Sequence, residues 1–111
     1  MWIFQNNSFL SIVAHRTRPG FLLVRSRIQG DIERAIPGAE TFEDPEADYR
    51  YRAVVPKEVV QKAIAQAIEN IDYPNFKNSV PAAVSARHDA YMKVWGALAG
   101  VFGAHIESGR G

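Results

Sequence analysis

Residues 49–55, Tyr49-Arg50-Tyr51-Arg52-Ala53-Val54-Val55, alternate charged with uncharged side chains before ending in an apolar pair. Successive side chains of an extended chain point to opposite faces, so this period of two predicts a strand with one face on a core and the other in solvent. Tyr49, Tyr51, Ala53 and Val55 then share one side, and Arg50 and Arg52 the other. An earlier stretch, Phe21-Leu22-Leu23-Val24-Arg25-Ser26-Arg27-Ile28, divides in the same way: Leu22, Val24 and Ile28 fall together, opposed by Arg25 and Arg27. Two strands of this kind predict a sheet with an apolar face to be covered and an arginine face left over.

Upstream, Trp2-Ile3-Phe4, the pair Asn6-Asn7 and Ser8 to Arg16 read as a hairpin, because asparagine tolerates left-handed turn geometry. In its second strand Leu10, Ile12 and Ala14 oppose Phe9, Val13 and His15. Pro19-Gly20 turns the chain into the third strand. Asp31 is placed to cap a short helix over Ile32 to Ile36, which Pro37-Gly38 ends. Thr41 to Glu43 and Tyr49 to Val55 flank Asp44-Pro45-Glu46-Ala47 as a second hairpin.

Downstream, Val60, Ile64, Ala67, Ile68 and Ile71 recur at helical spacing from Pro56 onward. Ser79 or Ser85 can cap a last helix, whose Tyr91, Val94, Trp95, Leu98, Val101 and Phe102 form an apolar stripe that should bury Trp95. Gly96 and Gly100 leave one flank small enough for a neighbouring helix to approach. Between these helices lies Ile71-Asp72-Tyr73-Pro74-Asn75-Phe76-Lys77-Asn78-Ser79-Val80. Pro74 disfavours helix at Tyr73, Asn75 and Asn78 suit tight turns, and Tyr73 and Phe76 are read as a plug between the helices and the sheet edge.

The order β-β-β-α-β-β-α-α predicts an α+β fold of about five mainly antiparallel strands with helices on one face. At 111 residues and 47% hydrophobic, the chain is long enough to bury a core as one domain, read as residues 1–105 with a frayed tail at 106–111. A formal charge of +1 gives no bulk reason to expect nucleic acid or an anionic membrane, so any basic surface has to be local. The absence of cysteine rules out a disulfide scaffold and fits a cytoplasmic protein, and no apolar stretch is long enough to span a membrane.

Candidate site residues follow from parity. Arg25, Arg27, Arg50 and Arg52, with His15, line the face away from the helices, where Phe9 adds a ring for stacking bases or holding phosphates. The same pattern also describes a solvated face whose arginines pair with Glu40, Glu43, Asp44 or Asp48. Lys77 and Asn75 are the second candidates, an amine and an amide just before a helix start, where an anion can be held. His15, His88 and His105 lie far apart without a second ligand at metal spacing, so neither metal nor cofactor is implied. No phosphate loop, nucleophile elbow or paired carboxylates are present, although His88-Asp89 at a helix start has the composition of an acid-base pair.

The segments MWIF, FLSIVAHR, LLVRSR, GDIE, ADYRYR, IDYPNFKNSV and ARHDAYMKVW together resemble a group of small bacterial proteins, over most of residues 1–96. That group has no established activity, so the resemblance implies a bacterial, single-domain, cytoplasmic protein and gives no residue a role. Within that frame the expected function is a non-catalytic binding or regulatory module of bacterial or phage origin, engaging a protein or nucleic-acid partner. The alternative is a small enzyme or ligand-binding protein with a pocket between sheet and helices, using His15, Arg50, Arg52 and Tyr51. A structural subunit and a homodimer both stay open.

Overall fold

A computed structural model describes residues 1–81 and 85–103. The expected tail at 106–111, His105, most of the insert between Pro81 and Ser85 and the Ser85 cap lie outside the described residues or side chains. The chain divides into two compact units, Met1–Asp72 and Tyr73–Gly111.

The first unit is α+β. Strands β1 (Trp2–Gln5), β2 (Ser8–Ala14), β3 (Phe21–Ser26), β4 (Phe42–Glu43) and β5 (Tyr51–Pro56) form one sheet in the order β1-β2-β3-β5-β4, with every pair antiparallel. Helix α1 (Asp31–Ala35) separates β3 from β4, and α2 (Lys57–Glu69) follows β5. The core is the apolar side read from the strand periods. Leu10, Ile12, Val24, Ala53 and Val55 of the sheet pack with Ile32 of α1, with Ile36 at its C-cap and with Val60 of α2. Each of the Leu, Ile and Val side chains contributes roughly 1.5–3 kcal/mol by leaving water, and Ala53 less.

At five residues α1 is too short to hold itself together, and its attachment is polar as well as apolar. Asp31 was expected to cap it, but the cap position belongs to Gly30, whose φ of 91° is left-handed and which offers no side chain. Asp31 sits one residue inside, fully buried, and its Oδ2 accepts the Phe9 backbone N–H at 3.0 Å. Its Oδ1 is ion-paired with Arg34. Arg34 also donates from Nε to the Asn7 carbonyl at 3.0 Å, so α1 is fastened to the turn between β1 and β2. A Cβ on Gly30 would lie 2.7 Å from the Arg34 guanidinium, a second reason for glycine there. Asn6 and Asn7 themselves turn without positive φ; among the described residues only Gly20, Gly30 and Gly38 have it.

Three apolar expectations do not hold. Ile28 is exposed rather than packed beside Leu22 and Val24, because β3 ends at Ser26. In α2 the packed stripe ends at Ile64, leaving Ile68 at 63% exposure, and Ile71, two residues beyond the helix, is 51% exposed. Tyr49 is buried, yet it is not part of the core cluster.

The second unit contains α3 (Phe76–Ser79) and α4 (Ser85–Phe102). The connector read as turns therefore carries a short helix, N-capped by Asn75, whose Oδ1 accepts the Asn78 N–H at 3.0 Å. Phe76 stacks on buried Tyr91 with ring centroids 5.9 Å apart, and Tyr73 lies 6.0 Å from Phe76. Trp95, expected in a core, is 46% exposed, and Val94, Leu98, Val101 and Phe102 are exposed with it. Nothing lies within 4 Å of where a Cβ would stand on Gly96 or Gly100, so their small size serves no close helix contact among the described residues. No helix of the described residues is long and apolar enough to cross a membrane.

Asp31→Ala should cost about 3 kcal/mol or more in urea unfolding, because it strips a buried strand N–H and a guanidinium of their partner. Trp95→Ala should cost about 1 kcal/mol or less. A loss at Trp95 equal to that at Asp31 would contradict the exposed position of the ring.

Candidate functional site

The register of the sheet brings one row of side chains across all its strands. Trp2 pairs with Ser11, Ser11 with Arg25, Arg25 with Arg52 and Arg52 with Phe42. Directly paired residues in antiparallel strands point to the same face. This row therefore occupies the face opposite Ile12, Val24 and Ala53, which are register partners on the core side. Its ends are exposed aromatics, Trp2 at 66% and Phe42 at 49%. Phe9, packed at 4.5 Å from Phe4 and 6.0 Å from Trp2, extends the aromatic end.

Two arginines directly opposite each other repel by up to about 1 kcal/mol unless something holds their charge. No carboxylate among the described residues pairs with either of them. Arg25 Nη2 donates to Ser11 Oγ at 2.7 Å, and Arg52 Nε donates to the Tyr49 carbonyl at 3.0 Å. Arg27 Nη1 donates to the Asp48 carbonyl at 2.9 Å. The guanidinium groups of Arg25 and Arg27 lie 4.7 and 4.4 Å from the Tyr49 ring, which explains why Tyr49 is buried outside the core. The bend before β5 sets this ring against the arginines, whereas the period of two predicts it on the apolar side. Carbonyl dipoles and a ring face fix the guanidinium planes but leave their net charge in place.

Of the expected carboxylate partners only Glu43 is used. It accepts from Arg50 Nε at 2.8 Å, and this hydrogen bond raises the Arg50 pKa above its usual value. Arg50 is thus the neutralised member of the four. Arg27 and Arg50 stand just past the ends of β3 and β5, while Arg25 and Arg52 are within them.

Next to the arginine pair the same face sinks into a depression of about 580 Å³, lined by Val13, Ala14, His15, Arg16, Leu23, Arg25 and Arg52. Val13 and Leu23 are register partners and form its apolar floor. His15 Nδ1 accepts the backbone N–H groups of Thr17 and Arg18 at 3.2 and 3.1 Å. An accepting Nδ1 puts the proton of the neutral ring on Nε2, which leaves a donor there. The depression opens on the side away from α1 and α2, whereas a pocket was expected between sheet and helices.

Lys77 and Asn75 belong to the second unit. Asn75 spends its side-chain oxygen on capping α3, and Lys77 Nζ lies 4.0 Å from the Trp95 ring centroid. The surface amine expected before a helix start is therefore engaged in a cation–π contact. His88 Nδ1 lies 3.9 Å from Asp89 Oδ1, at the long end for an ion pair. Among the described residues no group of three or more His, Asp or Glu side chains is placed to hold a metal ion.

Sequence reasoning missed Trp2, Ser11 and Phe42 as members of the arginine row. A signal for Trp2 and Ser11 was present: a two-residue turn at Asn6-Asn7 places residues whose numbers sum to 13 opposite each other, which sets Trp2 beside Ser11. Comparison with protein-family models, with curated proteins and with solved structures finds no match.

Tyr49→Ala should lower stability by about 3 kcal/mol, the usual cost of deleting a buried aromatic. It should also free Arg25 and Arg27 from their common surface, read as sharper side-chain resonances of both arginines by NMR. A stability loss below about 1 kcal/mol with unchanged arginine resonances would show that the ring does not hold them.

Proposed function

We propose that this chain is a non-catalytic binding module whose arginine face engages single-stranded nucleic acid. The observation that carries the reading is the register pair Arg25–Arg52, without a carboxylate partner among the described residues and flanked along one row by exposed Trp2 and Phe42. Arginines serve phosphates and exposed rings serve bases, and a sheet face carrying both is the chemistry of single-strand recognition. The modest overall charge does not oppose this, since Arg16, Arg25 and Arg52 are drawn together locally around one depression of the face. A sequence-tolerant mode is favoured, because rings stack on any base. Arg27, which shares the Tyr49 ring with Arg25, and His15, which lines the adjoining depression, support the same surface, whereas Arg50 is spent on Glu43. A cytoplasmic setting, where such a ligand is met, is part of the proposal.

The test is fluorescence anisotropy with a labelled short single-stranded oligonucleotide, repeated over a salt series. Binding should weaken as salt rises, with a log–log slope of about −0.7 for each phosphate neutralised. Arg52→Gln should flatten that slope, and Trp2→Ala should cost about 1–3 kcal/mol of binding while keeping it. No binding at low salt, or equal affinity for the wild type and both variants, would overturn the reading.

A further inference from the structure

The depression beside the arginine pair has a more specific chemistry than the rest of the face, and we propose that it receives a phosphomonoester, the terminal phosphate of a strand or of a free nucleotide. For its source in a strand the inference rests on the function proposed above. Arg25 commits Nη2 to Ser11, and Arg52 commits Nε to the Tyr49 carbonyl. Their remaining Nη groups have no partner among the described residues. His15 is held by Thr17 and Arg18 with Nε2 as its remaining donor. Arg16, on the rim, makes no hydrogen bond or ion pair among the described residues.

Charge decides between a monoester and a diester. Three arginines, Arg16, Arg25 and Arg52, line one depression, and no carboxylate lines it among the described residues. An internal phosphodiester carries one negative charge, whereas a terminal phosphate carries close to two near neutral pH and offers three oxygens to a set of forked donors. Concentrating three cations around one small volume suits the dianion, while a run of diesters is served better by cations spaced along a strand. The floor of Val13 and Leu23 supplies an apolar surface for the sugar or base attached to that phosphate. The rigidity of the two strand arginines, fixed by Ser11 and Tyr49, means that little ordering is needed when the ligand arrives.

The experiment compares a short oligothymidylate carrying a 5′-phosphate with the same strand ending in a 5′-hydroxyl, both dyed at the 3′ end, and uses thymidine monophosphate as competitor. The phosphorylated strand should bind roughly tenfold tighter. Val13→Glu, which adds a carboxylate at an exposed floor position, and Arg52→Gln should each bring the ratio to about one, whereas Trp2→Ala should weaken both strands alike and leave the ratio standing. Circular dichroism of each variant checks that the sheet is retained. Equal affinity of the two strands for the wild type overturns the inference and leaves the nucleic-acid reading intact. Capture of thymidine monophosphate, lost in Val13→Glu, with neither strand bound, supports the phosphate site and overturns the strand-binding reading. Binding of none of the three overturns both.

Discussion

The buried carboxylate of Asp31 links the two layers of the first unit. When β3 leaves the sheet after Ser26, the Phe9 N–H of β2 has no strand left to pair with, and Asp31 accepts it. The same side chain holds Arg34, which reaches the Asn7 carbonyl, so one residue ties α1 to a strand and to a hairpin turn. An unpaired carboxylate in this position would cost several kcal/mol, and pairing it twice turns the liability into a fixed point. With α1 held there, Ile32 and Ile36 cover the apolar face, and Arg25 and Arg52 project from the opposite one.

Much of this was legible in the residues. The alternation through Arg25 and Arg52 fixed which apolar residues would meet, and the order of elements followed from turns marked by proline, glycine and asparagine. Tyr49 was misread because its parity was extended past the start of β5 into a bend, where alternation has no meaning. Asp31 was misread because a cap and a first-turn residue differ by one position, and only the left-handed φ at Gly30 decides between them. The pairing of Arg25 with Arg52 depends on register, which a single strand does not encode.

In the second unit the pattern misled in a different way. A helical apolar stripe records which residues share a side of α4, not whether that side is covered, and Trp95, Leu98, Val101 and Phe102 are exposed. The uncharged run after Lys93 has little amphipathic contrast to orient it. Lys77, chosen as an anion ligand, lies over the Trp95 ring instead, a contact that long separation in sequence concealed.

The central claim is that the row from exposed Trp2 through Arg25 and Arg52 to exposed Phe42, whose two arginines have no carboxylate partner among the described residues, is the surface that holds an anionic strand. NMR titration with an unlabelled single-stranded oligonucleotide tests it most directly, following the Arg Nε–H and Trp indole N–H resonances. The account predicts saturable shifts of Arg25, Arg52 and Trp2, with the resonances of Ile32, Ile36 and Val60 under the helices staying in place. Shifts confined to the helical side of the first unit or to the second unit, with Arg25 and Arg52 unmoved at saturation, would contradict it.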